Sequence, residues 1–400
     1  MRSARRYAFG FVGIVAGFTL VAAAINTWVN PLRVTPAPWS DPSLEQYREI
    51  SNQIRTGKAG ILRSSGHADA AFVGSSRVAN GMDPNFEGWG DQKVLNLGCS
   101  GGFMFETTGI SRYLLEQEMP EVILFGVDPG DLSSPFDTRP LGDYYGSPFA
   151  PGGDRVDREM RYLIGISTLE ISIETLSRKH RGKLASYTPE GLRVRSDKAG
   201  QRSQIDFIRS RLLGEAFLAE DGRKQRPINQ DKAKELESIL RMARTAGTRV
   251  ILYIHPQHAV MHARAADKSD PPVFFRRERP TLVEMVDRVN AEGLAGPPVE
   301  LWDFFDFHPI NCEPLPIDGR ERMDFWGDLG HYSLPVGNTM QARMMGWDVP
   351  LEIGEDYGTR LSSENLEERL EEVRAGYEAY LNGPGARDVE WKEELFRKAE

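Results

Sequence analysis

Two segments far apart in the chain carry side-chain types suited to acyl transfer. Gly74-Ser75-Ser76-Arg77 follows a short apolar run, Ala70 to Val73, and Asp328-Leu329-Gly330-His331 comes late in the sequence. A serine becomes a nucleophile when a base takes its proton and a third group orients that base. Asp-x-x-His supplies base and orienter from one loop. Ser76 is therefore the candidate nucleophile, His331 the candidate general base and Asp328 its orienter. The competing reading of Ser76 is a turn serine that caps the following helix, a duty for which Ser75 is the better candidate.

Other segments suit supporting roles. Asn96-Leu97-Gly98-Cys99-Ser100-Gly101-Gly102 follows a second apolar run. Glycines allow close backbone approach and turn N–H groups outward, where they can hold an oxyanion. His255 and His258 follow the fourth apolar run, Arg249 to Ile254. His258 is a candidate substrate contact, against an ordinary polar loop residue. The two histidines lack a third ligand at convincing spacing, so no metal site is assigned. The run Trp302 to Pro316, with Asp303 and Asp306, suits either a groove wall or core packing.

These residues need elements to hold them. Ala70–Val73, Val94–Leu97, Val122–Phe125, Arg249–Ile254 and Val299–Trp302 are short, apolar and bounded by Gly, Pro or Asp, as strands are. Helical patterns separate them at Phe105–Glu118, Asp231–Ala246 and Thr281–Glu292, with another at Leu334–Met345 after Asp-x-x-His. Strands alternating with helices predict parallel βαβ units in a layered α/β fold. We expect a three-layer α/β/α domain over residues 69–350, with a central parallel sheet of about five strands. Residues 128–227 interrupt the rhythm and read as an insertion, with a helical pattern from Arg155 to His180. Residues 31–68 read as a juxtamembrane linker with one helical stretch, Leu44 to Ile54. Residues 351–400 read as a charged helical tail, with a narrow apolar stripe at Leu366, Leu370, Val373, Tyr377 and Leu381.

The amino-terminal 30 residues differ from the rest. Arg2, Arg5 and Arg6 precede an uncharged, apolar stretch from Tyr7 to Val29, long enough to span a bilayer. Positive charge ahead of it predicts a single-pass anchor in the cytoplasmic membrane, with the bulk of the chain on the extracytoplasmic, periplasmic side. Ala22-Ala23-Ala24 also suits a signal-peptidase site, and a buried soluble helix is a third reading. The 400 residues carry a net charge of −9, with 40% hydrophobic and 27% charged residues. That is ordinary globular composition, and the absence of a basic run beyond the first residues argues against nucleic acid as a partner. Two cysteines, Cys99 and Cys312, are too few for a metal site of their own.

Gly-Ser-Ser after the first strand, Asn-x-Gly-x-x-Gly after the second and Asp-x-x-His after the last resemble, in order and spacing, the SGNH/GDSL hydrolase superfamily. The resemblance covers roughly Asp69 to Gly346. The Gly74-Ser75-Ser76 variant and Phe325 to Tyr332 are similar to membrane-anchored members that serve teichoic-acid D-alanyl transfer and alginate O-acetylation. The resemblance implies a serine acyltransferase or esterase without a cofactor, acting on a cell-envelope glycan or acyl donor. An integral-membrane acyltransferase would be its partner. It also implies an oxyanion hole built from the N–H groups of Ser76 and Gly98 and from the residue at position 128. There the chain departs from the pattern. Asp128 stands where the superfamily carries asparagine, and an ionised aspartate donates no hydrogen bond. Arg77 and Asn80 are the candidate substitutes. A catalytically degenerate scaffold or glycan-binding protein is the alternative the departure leaves open.

Overall fold

The structure is a computed structural model that describes residues 2–35, 37–133, 142–194, 203–222, 227–263, 274–317 and 322–398. The chain divides into two compact units. One comprises Met1–His67 with Leu141–Val194, the other Ala68–Pro140 with Arg195–Glu400.

The second unit is built on a six-stranded sheet. Its strands are β1 (Ala70–Val73), β2 (Val94–Asn96), β3 (Val122–Val127), β4 (Arg249–Ile254), β5 (Glu300–Asp303) and, late in the chain, β8 (Thr359–Leu361). The order is β2-β1-β3-β4-β5-β8, parallel except that β8 runs antiparallel to β5. All of Ala70–Val73, and Ile123–Val127 and Val250–Ile254 in the next two strands, are buried. Unbroken apolar runs are what parallel strands covered on both faces require. The expectation of about five strands missed β8. It lies in the segment read as a charged tail, where Arg360 is exposed and only Leu361 of the strand is buried.

The chain starts at β1, steps outward to β2, then returns past β1 to β3. The sheet therefore changes direction between β1 and β3. Open α/β sheets place ligands at such a switch, beyond the carboxyl ends of the strands. Residues 74–77 and 128 sit there.

Several segments depart from expectation. Of the segment read as a linker, the described residues up to His67 belong to the first compact unit. Of the helical stretch expected at Leu44–Ile54, a short 3-10 helix, Pro42–Tyr47, covers the start, and a longer helix follows at Ile54–Ser65, with its residues from Arg55 to Leu62 buried. Part of the expected insertion joins that same unit, as helices Arg155–Ile164 and Ile166–Arg181 parted by Gly165. The apolar segment forms one helix, Arg2–Val29, of which Ala4–Val29 is long and apolar enough to cross a membrane. Its apolar side chains between Tyr7 and Val21 are exposed, which removes the buried-helix reading. The tail is folded on the second unit, as β8 and helices Leu366–Asn382 and Ala386–Arg397. Arg369 and Arg279 both bond the Asp303 carboxylate, which is fully buried, and Trp302 stacks on Phe304 at 6.0 Å. Asp303 and Trp302 thus serve an internal ion-pair hub and core packing rather than a groove wall. Cys99 and Cys312 form no disulfide.

Candidate active site

The serine turn is shaped by its neighbours. Gly74 has φ +150°, and a Cβ there would lie 2.6 Å from Val78 Cγ2 and 3.2 Å from the Gly126 carbonyl. Only glycine meets both conditions at no cost. Ser75 caps the helix Ser76–Gly81, its Oγ accepting the Arg77 N–H at 3.2 Å. Ser76 is left at the first helical position, where the N–H has no intrahelical partner.

Asp328 and His331 belong to a small hairpin, β6 (Trp326–Asp328) and β7 (His331–Tyr332). Asp328 and His331 pair directly across its two-residue turn, which puts both side chains on one side. Sequence spacing alone leaves that geometry open between an extended and a loosely helical loop. The hairpin is fastened at several points. Trp326 Nε1 donates to the Ile310 carbonyl at 2.7 Å, and Gln204 Nε2 to the Trp326 carbonyl at 2.7 Å. His258 N–H donates to the Leu329 carbonyl at 3.1 Å. Arg77 Nε donates to the Gly330 carbonyl at 2.9 Å, so the residue after the serine also holds the turn before the histidine.

Across this arrangement, Ser76 Oγ lies 2.8 Å from His331 Nε2. His331 Nδ1 lies 2.9 and 2.8 Å from the two Asp328 carboxylate oxygens. A carboxylate only accepts, so Nδ1 carries the proton and Nε2 is left to accept the Ser76 hydroxyl. Asp328 is buried, and Ser76 and His331 are half-buried.

The expected oxyanion hole is not assembled as predicted. Gly98 N–H donates to Asn96 Oδ1 at 3.0 Å, and a Cβ on Gly98 would lie 2.6 Å from the Ala79 backbone nitrogen. Gly98 is a close-packing glycine whose amide is occupied. Asp128 accepts from Ser75 Oγ at 2.9 Å and from Arg77 Nη1 at 2.8 Å. Burial acts to raise its carboxyl, but the Arg77 guanidinium, through its charge and its hydrogen bond, together with the Ser75 hydroxyl outweighs burial and holds it below the usual carboxylate range. Asp128 is therefore ionised, and it anchors Arg77 instead of donating. Of the two substitutes, Asn80 donates back to the Ser76 carbonyl within its own helix. Arg77 remains, with its guanidinium between Asp128 and the Gly330 carbonyl.

His258, expected to contact substrate, is fully buried. Its Nε2 donates to the Glu313 carbonyl at 2.7 Å and its Nδ1 accepts the Val260 N–H at 3.3 Å. Burial pushes the imidazole down to about 4, so it is a neutral brace for the hairpin. His255, expected at this edge of the sheet, has partners that the sequence did not show. It lies beneath the site, with Nδ1 3.2 Å from the Tyr332 hydroxyl and Nε2 3.9 Å from Asp128.

No family model and no curated protein matches the chain.

Proposed function

We propose that the protein is a membrane-tethered serine acyltransferase or esterase of the SGNH type, with an α/β/α arrangement around its sheet. The observation that carries this reading is the continuous hydrogen-bond chain Ser76–His331–Asp328 at the switch point of a parallel sheet. Ser76 Oγ attacks the carbonyl carbon of an ester, and its proton passes to His331 Nε2. Asp328 holds the tautomer and stabilises the imidazolium. The developing oxyanion meets the Ser76 N–H and the positive charge of Arg77. Collapse breaks the bond to the leaving alcohol, which takes the proton from His331. A second alcohol or water then attacks the acyl-serine by the same route, which completes transfer or hydrolysis.

The substrate class rests on the resemblance and on the apolar helix Ala4–Val29. It is an O-acylated envelope glycan, with the acyl group delivered by an integral-membrane acyltransferase. The test uses the full chain in detergent with an aryl acetate and with acetylated oligosaccharides. Turnover, or transfer to an oligosaccharide hydroxyl, is expected and is lost in Ser76→Ala. Equal turnover in that variant contradicts the reading.

A second reading, a degenerate scaffold or glycan-binding protein, is favoured by one observation. An ionised Asp128 occupies a strand end where a hydrogen-bond donor is expected. It predicts no acyl transfer at all, and normal polymer modification in cells carrying Ser76→Ala.

A further inference from the structure

The helix Arg155–Ile164 has no buried residue. Its exposed apolar side chains are not scattered. Val156, Met160 and Ile164 recur every fourth position and form one stripe, with Val156 67% and Met160 45% exposed. The next helix, Ile166–Arg181, continues the apolar surface with Ile166, 64% exposed, and Ile173. Charges lie off the stripe and pair along the helix, Arg155 with Glu159 at 2.8 Å and Arg161 with Asp157 at 2.7 Å. A strongly two-faced helix of this kind suits a lipid interface.

Its attachment says what covers the stripe. Asn26, near the end of the apolar helix Ala4–Val29, donates to the carbonyls of Leu163 and Gly165 at 3.0 and 3.2 Å and accepts from Ser172 Oγ at 3.0 Å. Both amphipathic helices are therefore fastened to one level of the apolar helix. Starting after Arg6, a rise of 1.5 Å per residue brings the chain across about 30 Å of hydrocarbon in about 20 residues, at Asn26. Two exposed tryptophans stand at the same level. Trp28 follows Asn26, and Trp39, 58% exposed, donates through Nε1 to the Thr27 carbonyl at 3.2 Å. Indoles at that depth mark a bilayer interface.

We infer that helix Arg155–Ile164 and the start of helix Ile166–Arg181 lie in the membrane interface as a second lipid contact, with Val156, Met160, Ile164 and Ile166 turned into the boundary between headgroups and acyl chains. The surface would fix the orientation of the first unit on the bilayer, beyond what a single flexible span provides. This inference rests on the reading of Ala4–Val29 as a membrane span.

The experiment places a fluorophore on single cysteines, Met160→Cys, Asp157→Cys and Ile14→Cys, in the full chain in lipid nanodiscs. Buried Cys99 and half-buried Cys312 in the parent protein set the background. Quenchers are brominated acyl chains on the lipid side and iodide on the water side. The expected result is lipid quenching at Met160 at a depth of about 5–10 Å, with iodide quenching at Asp157 and deep lipid quenching at Ile14. Iodide quenching at Met160 with lipid quenching at Ile14 overturns the interfacial contact and leaves the span standing. Iodide quenching at both overturns the span and the contact together. Shielding of Met160 from both quenchers overturns lipid as the occupant and assigns the stripe to protein.

Discussion

Two aspartate–histidine pairs stand at the same edge of the sheet and differ in every respect that matters for chemistry. Asp328 and His331 share bonds of 2.8–2.9 Å, and the other ring nitrogen of His331 faces Ser76. Asp128 and His255 are 3.9 Å apart, too far for a hydrogen bond, and His255 Nε2 is buried with no partner. Burial pushes His255 down to about 3, against the Asp128 carboxylate that raises it, so it stays neutral. The Asp128 carboxylate spends its charge on Arg77 instead. The first pair can cycle a proton at a half-buried surface, while the second fixes a cation. Proximity of the two residue types is thus a weak sign of function, and what the second ring nitrogen faces decides it.

The sharpest way to break the contrast is to remove the first pair. Ser76→Ala and His331→Ala are each expected to cost about 10⁴-fold or more in kcat, with the double variant little worse than either, because the residues act as a unit. Asp328→Asn leaves the geometry and is expected to cost about 10³–10⁴-fold by favouring the wrong tautomer. Steady-state kinetics on an aryl ester read all of these.

The second pair responds differently. Asp128→Asn unfastens Arg77 and is expected to lower kcat about 10²–10³-fold, the range for one lost oxyanion donor, and Arg77→Ala should match it. A rise in kcat in Asp128→Asn would mean instead that the site lacked a donor and has regained one.

The loop after Asp128 sharpens the contrast through stability. Glu278 is buried and accepts the Gly130 N–H at 2.7 Å. Burial pushes its carboxyl from the ordinary 4.5 up to about 7, against the hydrogen bonds from Gly130 and Ser133. The folded protein therefore holds a proton that the unfolded chain releases between those values. Stability from this group is full below about 4.5, is lost as pH rises to about 7, and stays low above. Glu278→Gln should stabilise the protein by up to about 3 kcal/mol at pH 8 and by little at pH 4.5, as read from denaturant melts.

The smallest expected effect is at His255. His255→Phe keeps a buried ring, removes the unpartnered Nε2 and loses only the Nδ1 contact with the Tyr332 hydroxyl, so kcat should change less than about tenfold in the same assay. A loss as large as that of Asp328→Asn would erase the distinction between the pairs.

Much of this was legible in the sequence where signals are local. The apolar runs Ala70–Val73 and Arg249–Ile254 announce buried strands, and Gly74 and Ser75 announce the turn. Asp-x-x-His announces its chemistry, though not the hairpin. Strands as short as His331–Tyr332 are below any periodic signal. β8 escaped for the same reason, as three residues of which one is buried. Arg77 with Asp128, and Asn26 with Leu163 and Gly165, join residues distant in sequence, and nothing in either local segment encodes its partner. Gly98 shows a glycine serving two plausible ends, close packing and anion binding, that only the structure separates.

The central claim is that Ser76 is a nucleophile activated by His331. The direct measurement is reaction of the purified full chain with a fluorophosphonate, followed by peptide mapping of the adduct. The account predicts a single phosphonylated residue, Ser76, formed at pH 7 and abolished in both Ser76→Ala and His331→Ala. An adduct elsewhere, or undiminished labelling of Ser76 in His331→Ala, would contradict it.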